Sequence, residues 1–240
     1  MPLIDTMKKS KNLLTIKINR KINKCYVSKV TFGIQNIFSL AARERCMTNL
    51  KRLTIPRYGK IPTDSASVLV PLCKVAEKPS LLYTVRATNL RANSGEVAFP
   101  GGKIEPNETA VQTALKETYQ AIGLRPERID IWGQGSPLPG RNNQSMITPV
   151  IGSITNLRQE DLYINTTEVS EVFTVPVEML CEAKNQFYTQ YSSGFILPVF
   201  VVEEYKIWGI TAYITHSFLS AMLTKDIYRN EWMKKKLPHF

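Results

Sequence analysis

A glycine-rich turn followed by a charged segment is the part of the sequence whose residue types could do chemistry. Gly101 and Gly102 lead into a stretch that carries Glu108 and, further on, Lys116 and Glu117. Glycines let a backbone approach a ligand closely, and the start of a helix attracts anions, so such a turn suits phosphate groups. By itself a Gly-Gly pair more often marks a tight turn, and exposed helical glutamates are common. The meaning of these residues therefore depends on their spacing.

That spacing is regular. Five residues separate Gly102 from Glu108, seven separate Glu108 from Lys116-Glu117, and Gly123-Leu124 follow. The pattern resembles the Nudix box of hydrolases that act on nucleoside diphosphate derivatives, in which a glycine, a glutamate, an arginine-glutamate pair and two further acids stand at these intervals. The resemblance implies an α/β fold, a Nudix-type α/β/α sandwich with a mixed β-sheet. It also implies metal-assisted hydrolysis of a pyrophosphate bond.

Two acidic positions of the box are replaced in this chain. Positions 117, 120 and 121 are related as i, i+3 and i+4, which places their side chains on one helical face. The resemblance implies that this face and Gly102 hold Mg²⁺ or Mn²⁺, because hard cations take oxygen ligands and neutralise clustered carboxylates. Glu117 remains as a metal ligand and catalytic residue, whereas Gln120 offers a neutral oxygen and Ala121 offers none.

A second run of residues narrows the resemblance. Residues 90–102 are similar to the LxxHxGxVxFPGG signature of coenzyme A diphosphatases, with Asn93 in place of the histidine. Segments further along also look like this branch, so the likeness covers roughly residues 64–225. The resemblance implies that four residues face the substrate phosphates: Arg86, Gly101, Gly102 and Lys103. For Arg86, an ordinary ion pair at a strand edge is an equal alternative.

Acidic residues beyond the box are further candidates. The resemblance implies that Glu168 or Glu171 supplies an additional metal ligand or the general base. Both residues can also be read as surface charges that flank Val169 and Val172, since exposed glutamates are common. The sequence alone leaves these two interpretations open.

Strands and helices must position these groups. Runs of apolar and β-branched residues predict strands at 67–72 and 81–86, separated by a turn at Pro79, and a short strand at 97–99. The helical spacing of apolar residues predicts a helix over 107–122, which Gly123 ends. Further predictions are strands at 129–133, 148–154, 169–174 and 196–202, and a second helix from Trp208 to about Leu223. Mixed strands with two helices favour an α/β/α sandwich. The aromatic residues Tyr188, Phe200 and Trp208 are expected in the core rather than stacked on a base.

The positive charge of the chain is concentrated at its start. The net charge is +11, yet residues 1–60 hold 14 Lys and Arg against 2 Asp and Glu, and residues 61–240 hold 17 against 18. A basic groove across the folded part is therefore not supported, and nucleic acid is not an expected partner. A basic segment almost without acids is typical of a mitochondrial transit peptide, although a basic tail without an address is the alternative.

Composition excludes several other classes. The sequence has no run of eighteen apolar residues, so a membrane-spanning helix is not expected. The four cysteines are far apart, so a disulfide framework or a zinc site is not expected. The two histidines, His216 and His239, are too few for histidine-rich metal chemistry. We expect a mitochondrial protein with a basic segment at 1–60 and a Nudix domain at 61–240. Its predicted activity is hydrolysis of a pyrophosphate bond in coenzyme A, acyl-CoA or a related nucleotide. The alternative is a weak or inactive scaffold that binds such a nucleotide or a protein partner.

Overall fold

The structure is a computed structural model that describes residues 16–17, 36–52, 62, 64–88, 94–140, 145–192 and 194–238. Two predictions fall wholly or partly beyond these ranges. Most of the predicted leader, namely residues 1–15, 18–35 and 53–60, lies outside the described residues. Asn93 of the diphosphatase-like signature lies outside them as well.

Nine strands of the described part form one mixed sheet. They are β1 (Ile16–Lys17), β2 (Asp64–Val75), β3 (Lys78–Arg86), β4 (Val97–Ala98), β5 (Gly101–Lys103), β6 (Asp130–Gln134), β7 (Leu138–Pro139), β8 (Ser145–Ile154) and β9 (Val169–Pro176). The order across the sheet is β1-β9-β3-β2-β8-β6, and β4, β5 and β7 pair with β3, β2 and β8. β2 and β8 run parallel, as do β1 and β9. A second, antiparallel sheet consists of β10 (Gln186–Gln190), β11 (Ile196–Val202) and β12 (Tyr205–Ile207).

Helices cover both faces of the larger sheet. They are α1 (Leu40–Arg52), α2 (Ala110–Ile122), α3 (Val177–Cys181) and α4 (Gly209–Met222). Alternate residues of β2 point to opposite faces: Leu69 packs in one apolar cluster with Ile122 of α2, and Val70 packs in another with Phe218 of α4. Burial of apolar side chains on both faces explains the apolar character of β2. The predicted α/β/α sandwich with a mixed sheet is confirmed.

The predicted box helix is present but starts later than expected. Asn107 has a φ of +70°, which a helix cannot accommodate, and the helix begins at Ala110. The Thr109 hydroxyl accepts from the backbone N–H of Gln112 at 3.2 Å, and the Gln112 side chain accepts from the N–H of Thr109 at 2.9 Å. This reciprocal pair satisfies two donors of the first turn. Gly123 ends the helix with a φ of +69°, as predicted.

The hairpin turn between β2 and β3 differs from the prediction. Pro79 lies inside β3, and the turn is made by Ala76 and Glu77, with φ values of 45° and 63°. The predicted turn at Pro79 is therefore wrong. Two residues with positive φ form a tight turn whose twist matches that of the flanking strands, and this property does not require proline.

Helix α1 lies within the segment that the sequence marks as basic. Its buried residues are Ala42, Cys46 and Leu50, which recur every four positions and pack in the cluster that contains α4. The Asn49 side chain donates to the Ala221 carbonyl at 3.0 Å. The folded unit therefore starts before residue 60. No helix within the described ranges is long and apolar enough to cross a membrane.

Candidate active site

The glycine turn is fixed by a close approach of two strands. β5 pairs with β2 so that Gly101 lies opposite Val68 and Gly102 lies opposite Ser67. A Cβ atom at Gly101 would lie 2.6 Å from the Val68 Cα atom, which is too close for any side chain. Glycine is thus required here for packing. Because glycine has no side chain, the backbone of the turn stays accessible to a ligand.

The structure brings together two predicted site residues, Gly102 and Glu117. A Cβ atom at Gly102 would lie 2.6 Å from the carboxyl carbon of Glu117. The Glu117 carboxylate therefore occupies the space directly over the turn, with its side chain 24% exposed. Helix α2 supplies the carboxylate and β5 supplies the backbone, so sheet and helix together build this part of the site.

A lysine stands between the two glutamates of the box. The Lys116 ammonium donates to the two carboxylate oxygens of Glu108 at 2.6 and 2.9 Å and lies 3.6 Å from Glu117 Oε1. The Thr113 hydroxyl also donates to Glu108, at 2.8 Å. The hydrogen bond from Lys116, followed by that from Thr113, holds the pKa of Glu108 below its usual value. The hydrogen bond with Glu108 in turn raises the pKa of Lys116.

The two replaced positions of the box have different surroundings. Ala121 is 7% exposed and belongs to the apolar cluster beneath α2, whereas Gln120 is exposed. A loop between β8 and β9 covers the last turn of the helix, because the N–H groups of Tyr163 and Asn165 donate to the carbonyls of Ile122 and Ala121 at 2.8 and 2.9 Å. Helical spacing keeps positions 117, 120 and 121 on one side of α2, but the Ala121 side chain is packed in the apolar cluster whereas Gln120 is exposed.

The oxygen ligands near the glycine turn decide which kind of metal site fits. Within the described ranges, no group of three or more His, Cys, Asp or Glu side chains is arranged so as to hold a metal ion. A cage of several carboxylates therefore does not fit the described part of the chain. Mg²⁺, however, often binds through one or two carboxylates together with substrate phosphates while it keeps several waters. Glu117 and the backbone oxygens of the glycine turn fit that smaller role.

The two acidic candidates beyond the box have hydrogen-bond partners of their own. Glu168 precedes β9 and accepts from the Asn165 side chain at 2.9 Å. Glu171 lies within β9 and accepts from the Tyr205 hydroxyl at 2.6 Å. Within the described residues, neither forms a metal-binding acidic group with Glu117. Their roles as general base or additional ligand stay predictions.

The candidate cations differ in how much they are already engaged. Arg86 ends β3, and its Nε atom is buried without a hydrogen-bond partner in the part of the chain that the structure describes. A buried donor of this kind is costly unless a ligand or water pairs with it. Lys103, by contrast, is 64% exposed and lies 3.5 Å from Asp64. Among the aromatic residues, Phe200 is fully buried, as predicted, while Tyr188 and Trp208 are only partly buried.

A cleft beyond the C-terminal end of α2 was not predicted. Its volume is about 690 Å³. Its lining consists of Tyr119, Gln120, Gly123, Arg125, Arg128, Arg158, Glu160, Asp161, Leu162 and Tyr163. Burial would raise the pKa of Asp161, but hydrogen bonds from Arg158 and the charge of Arg128 outweigh it and hold this pKa low. The sequence signal was weak, since the arginines are separated by up to 33 positions.

Comparisons with known proteins identify the family. The family described as NUDIX domain matches residues 64–193. Nudix hydrolase 3 of Caenorhabditis elegans is 32% identical over 225 residues, which cover 84% of this chain and 92% of that protein. The chain therefore belongs to the Nudix family, whose hydrolases generally use divalent metal ions.

Two further relatives narrow the class within the family. Mitochondrial coenzyme A diphosphatase NUDT8 of Mus musculus is 37% identical over 201 residues, covering 81% of this chain and 94% of that protein. Peroxisomal coenzyme A diphosphatase NUDT7 of Mus musculus is 35% identical over 166 residues, covering 65% of this chain and 69% of that protein. Within the Nudix family, the chain is coenzyme A diphosphatase-like. Family and relatives together support pyrophosphate hydrolysis of nucleoside diphosphate derivatives.

Proposed function

We propose that the chain binds coenzyme A or an acyl-CoA at the glycine turn and hydrolyses its pyrophosphate bond with the help of Mg²⁺ or Mn²⁺. The observation that carries this proposal is the Glu117 carboxylate, which is held directly over Gly102. Hydrolysis would release 3′,5′-ADP and 4′-phosphopantetheine. A slow reaction is expected, because one carboxylate takes the place of a cluster.

Each residue of the turn has a distinct part in this proposal. The backbone of Gly101 and Gly102 offers a close approach to the phosphates, and the buried Nε atom of Arg86 offers a donor without a partner among the described residues. The Lys116 ammonium lies within ion-pair distance of both Glu108 and Glu117. The ion, once bound by Glu117 and the substrate phosphates, would neutralise charge that develops on the leaving oxygen. Glu168 or Glu171 remains the proposed base.

A second candidate function, nucleotide binding without turnover, rests on the burial of Ala121. That position of the box carries no ligand and lies in an apolar cluster. Loss of one electrostatic stabiliser commonly costs about a hundredfold in rate, so the loss of two acids can silence the reaction. The chain would then still bind a nucleotide at the glycine turn but would not hydrolyse it.

One assay separates these candidates. The purified chain is incubated with coenzyme A and with acetyl-CoA, in Mg²⁺ and in Mn²⁺, and the products are measured by mass spectrometry. In parallel, Mn²⁺ binding is followed by electron paramagnetic resonance with and without coenzyme A. We expect product formation, and Mn²⁺ binding only when the nucleotide is present. Nucleotide binding without product would support the second candidate, and absence of both would contradict the two proposals together.

We also propose that the chain resides in mitochondria, in the matrix, and that the address lies before Asn36. The support is the basic charge of residues 1–60 together with the burial of α1, which would expose an apolar stripe if it were removed. A reporter fused to residues 1–35 should enter mitochondria, whereas a fusion to residues 36–60 should remain in the cytosol. A diffuse signal from the first fusion would contradict the proposal.

A further inference from the structure

The cleft at the end of α2 combines cationic and aromatic groups on an accessible surface. Its volume, about 690 Å³, is that of a site for a small organic ligand. Three arginines and two acids line it, so its formal charge is +1. Such a lining favours an anion, and guanidinium groups are suited to phosphate because they donate in a planar fork.

The three arginines differ in how firmly they are held. Arg128 donates to Asp161 at 3.0 Å and to the Asn156 carbonyl at 2.7 Å. Arg158 donates to Asp161 at 3.2 Å and lies 3.3 Å from Glu160. For the Arg125 side chain, no hydrogen bond or ion pair occurs within the part of the chain that the structure describes. Arg125 is thus the cation of the cleft that is available to a ligand.

Exposed tyrosines are the second, independent observation. Tyr119 is 51% exposed and Tyr163 is 80% exposed, and both line the cleft. The backbone of Tyr163 packs so closely on Gly123 that a Cβ atom there would lie 2.8 Å from the Tyr163 Cβ. The backbone of Tyr163 is therefore held against the end of α2, whereas its side chain stays largely in solvent. Exposed aromatic faces bind nucleobases by stacking.

The position of the cleft links it to the glycine turn. Gln120 lines the cleft, and Glu117 lies one helical turn earlier on α2. Three residues of helix advance by about 4.5 Å along the axis. A ligand whose pyrophosphate lies at Glu117 can thus extend its far end toward the arginines. In coenzyme A that end is an adenosine with a 3′-phosphate, which combines an anion with an aromatic base.

We propose that this cleft binds the 3′-phosphorylated adenosine end of a coenzyme A-type ligand, with Arg125 contacting the 3′-phosphate and Tyr119 and Tyr163 contacting the base. This inference rests on the proposed function, because it assigns the other end of the same ligand. Arg128 and Arg158, held by Asp161, shape the wall next to Arg125.

The test compares two ligands that differ only in the 3′-phosphate. Binding of coenzyme A and of dephospho-coenzyme A is measured by isothermal titration calorimetry in EDTA, so that metal-dependent turnover does not interfere. The natural chain should bind coenzyme A about tenfold more tightly, since a charge-assisted contact to a phosphate is worth that much. Arg125→Ala should reduce this preference to less than twofold and leave dephospho-coenzyme A binding unchanged. Arg229→Ala, which changes an exposed arginine away from the cleft, should keep the preference.

The base contact has its own readout. Tyr163→Ala should weaken both ligands equally, by about tenfold, because stacking acts on the adenine that the two ligands share. A natural chain that binds both ligands equally, or an Arg125→Ala variant that keeps the preference, would overturn the inference while leaving the proposed function intact. Binding of 3′,5′-ADP that depends on Arg125, without binding of coenzyme A, would support the cleft and contradict the proposed function. If neither coenzyme A nor 3′,5′-ADP binds, both proposals are overturned.

Discussion

The two ends of helix α2 both carry positions of the box, but the surroundings of those positions differ. In its N-terminal part, Thr109 forms a capping pair with Gln112, and Lys116 donates to Glu108 and lies within ion-pair distance of Glu117 beside the glycine turn. At its end, Ala121 is packed in the core and Gln120 opens onto a cleft lined with arginines. The first end keeps the layout of a Nudix box, whereas the second has replaced carboxylates by apolar packing and cationic groups.

This contrast shows that the layout of the box serves the fold as well as the chemistry. Lys116 and Glu108 satisfy each other without a metal, and Gly101 is required by its approach to Val68. These contacts do not involve positions 120 and 121. Positions 120 and 121 have no such structural role for acids, so their replacement costs the fold nothing that the structure reveals.

The largest effect is expected where the second end meets the core. Ala121→Glu would place a carboxylate in the apolar cluster beneath α2, and an unpaired buried charge costs on the order of 3 kcal/mol or more. Urea unfolding should show this loss of stability. Gln120→Glu is the matched control, and it should change the unfolding free energy by only about 0.5 kcal/mol because Gln120 is exposed. If Mg²⁺ restores the stability of Ala121→Glu, position 121 reaches the metal, and the contrast between the two ends of α2 is wrong.

The next effect belongs to the first end of the helix. Glu117→Gln removes the carboxylate over Gly102 and should lower coenzyme A hydrolysis by at least about a hundredfold, or about 2.7 kcal/mol. The unfolding free energy should change little. Glu127→Gln, an exposed acid outside the turn, should hydrolyse like the natural chain. Hydrolysis that survives Glu117→Gln would place the chemistry elsewhere.

A smaller effect is expected from the turn itself. Gly102→Ala would push a methyl group against the Glu117 carboxylate, whose flexible side chain can move aside. The fold should survive, while hydrolysis falls by about tenfold because the displaced carboxylate no longer lies over the turn. Combining Gly102→Ala with Glu117→Gln tests the reason, since the two losses should not add. Additive losses would show that the two residues act separately.

The sequence predicts the fold better than it predicts the site. The strand at 196–202 agrees with β11, and Gly123 ends α2 as expected, because apolar runs and glycine act locally. Helix α1 was missed, although Ala42, Cys46 and Leu50 have helical spacing, because the surrounding charge suggested a leader. Contacts between distant parts of the chain determine the features that the sequence did not predict.

Two features of the site depend on such distant contacts. The last turn of α2 is covered by a loop more than forty positions later, in which the backbone N–H groups of Tyr163 and Asn165 donate to its carbonyls. The cleft needs Arg158, which only the fold brings near Arg125 and Arg128. Periodicity along α2 places positions 117, 120 and 121 on one side, yet it does not reveal what packs against the last turn.

The smallest effect concerns pH and the pair that organises the first end. The pKa of Glu108 is lowered from 4.5, so its stabilising contribution is complete above that pH and is lost as the pH falls through the folded value. The pKa of Lys116 is raised from 10.5, so its contribution is complete below that pH and is lost as the pH rises through the folded value. The stability difference between the natural chain and Lys116→Met should therefore be constant across the neutral range and shrink at both extremes. Urea unfolding over a pH series measures it, and Glu108→Gln with and without Lys116→Met completes a double-mutant cycle for the pair. Because both side chains are partly exposed, added salt should weaken the coupling. A coupling that changes near neutral pH would mean that another titrating group, and not this ion pair alone, organises the retained end of the box.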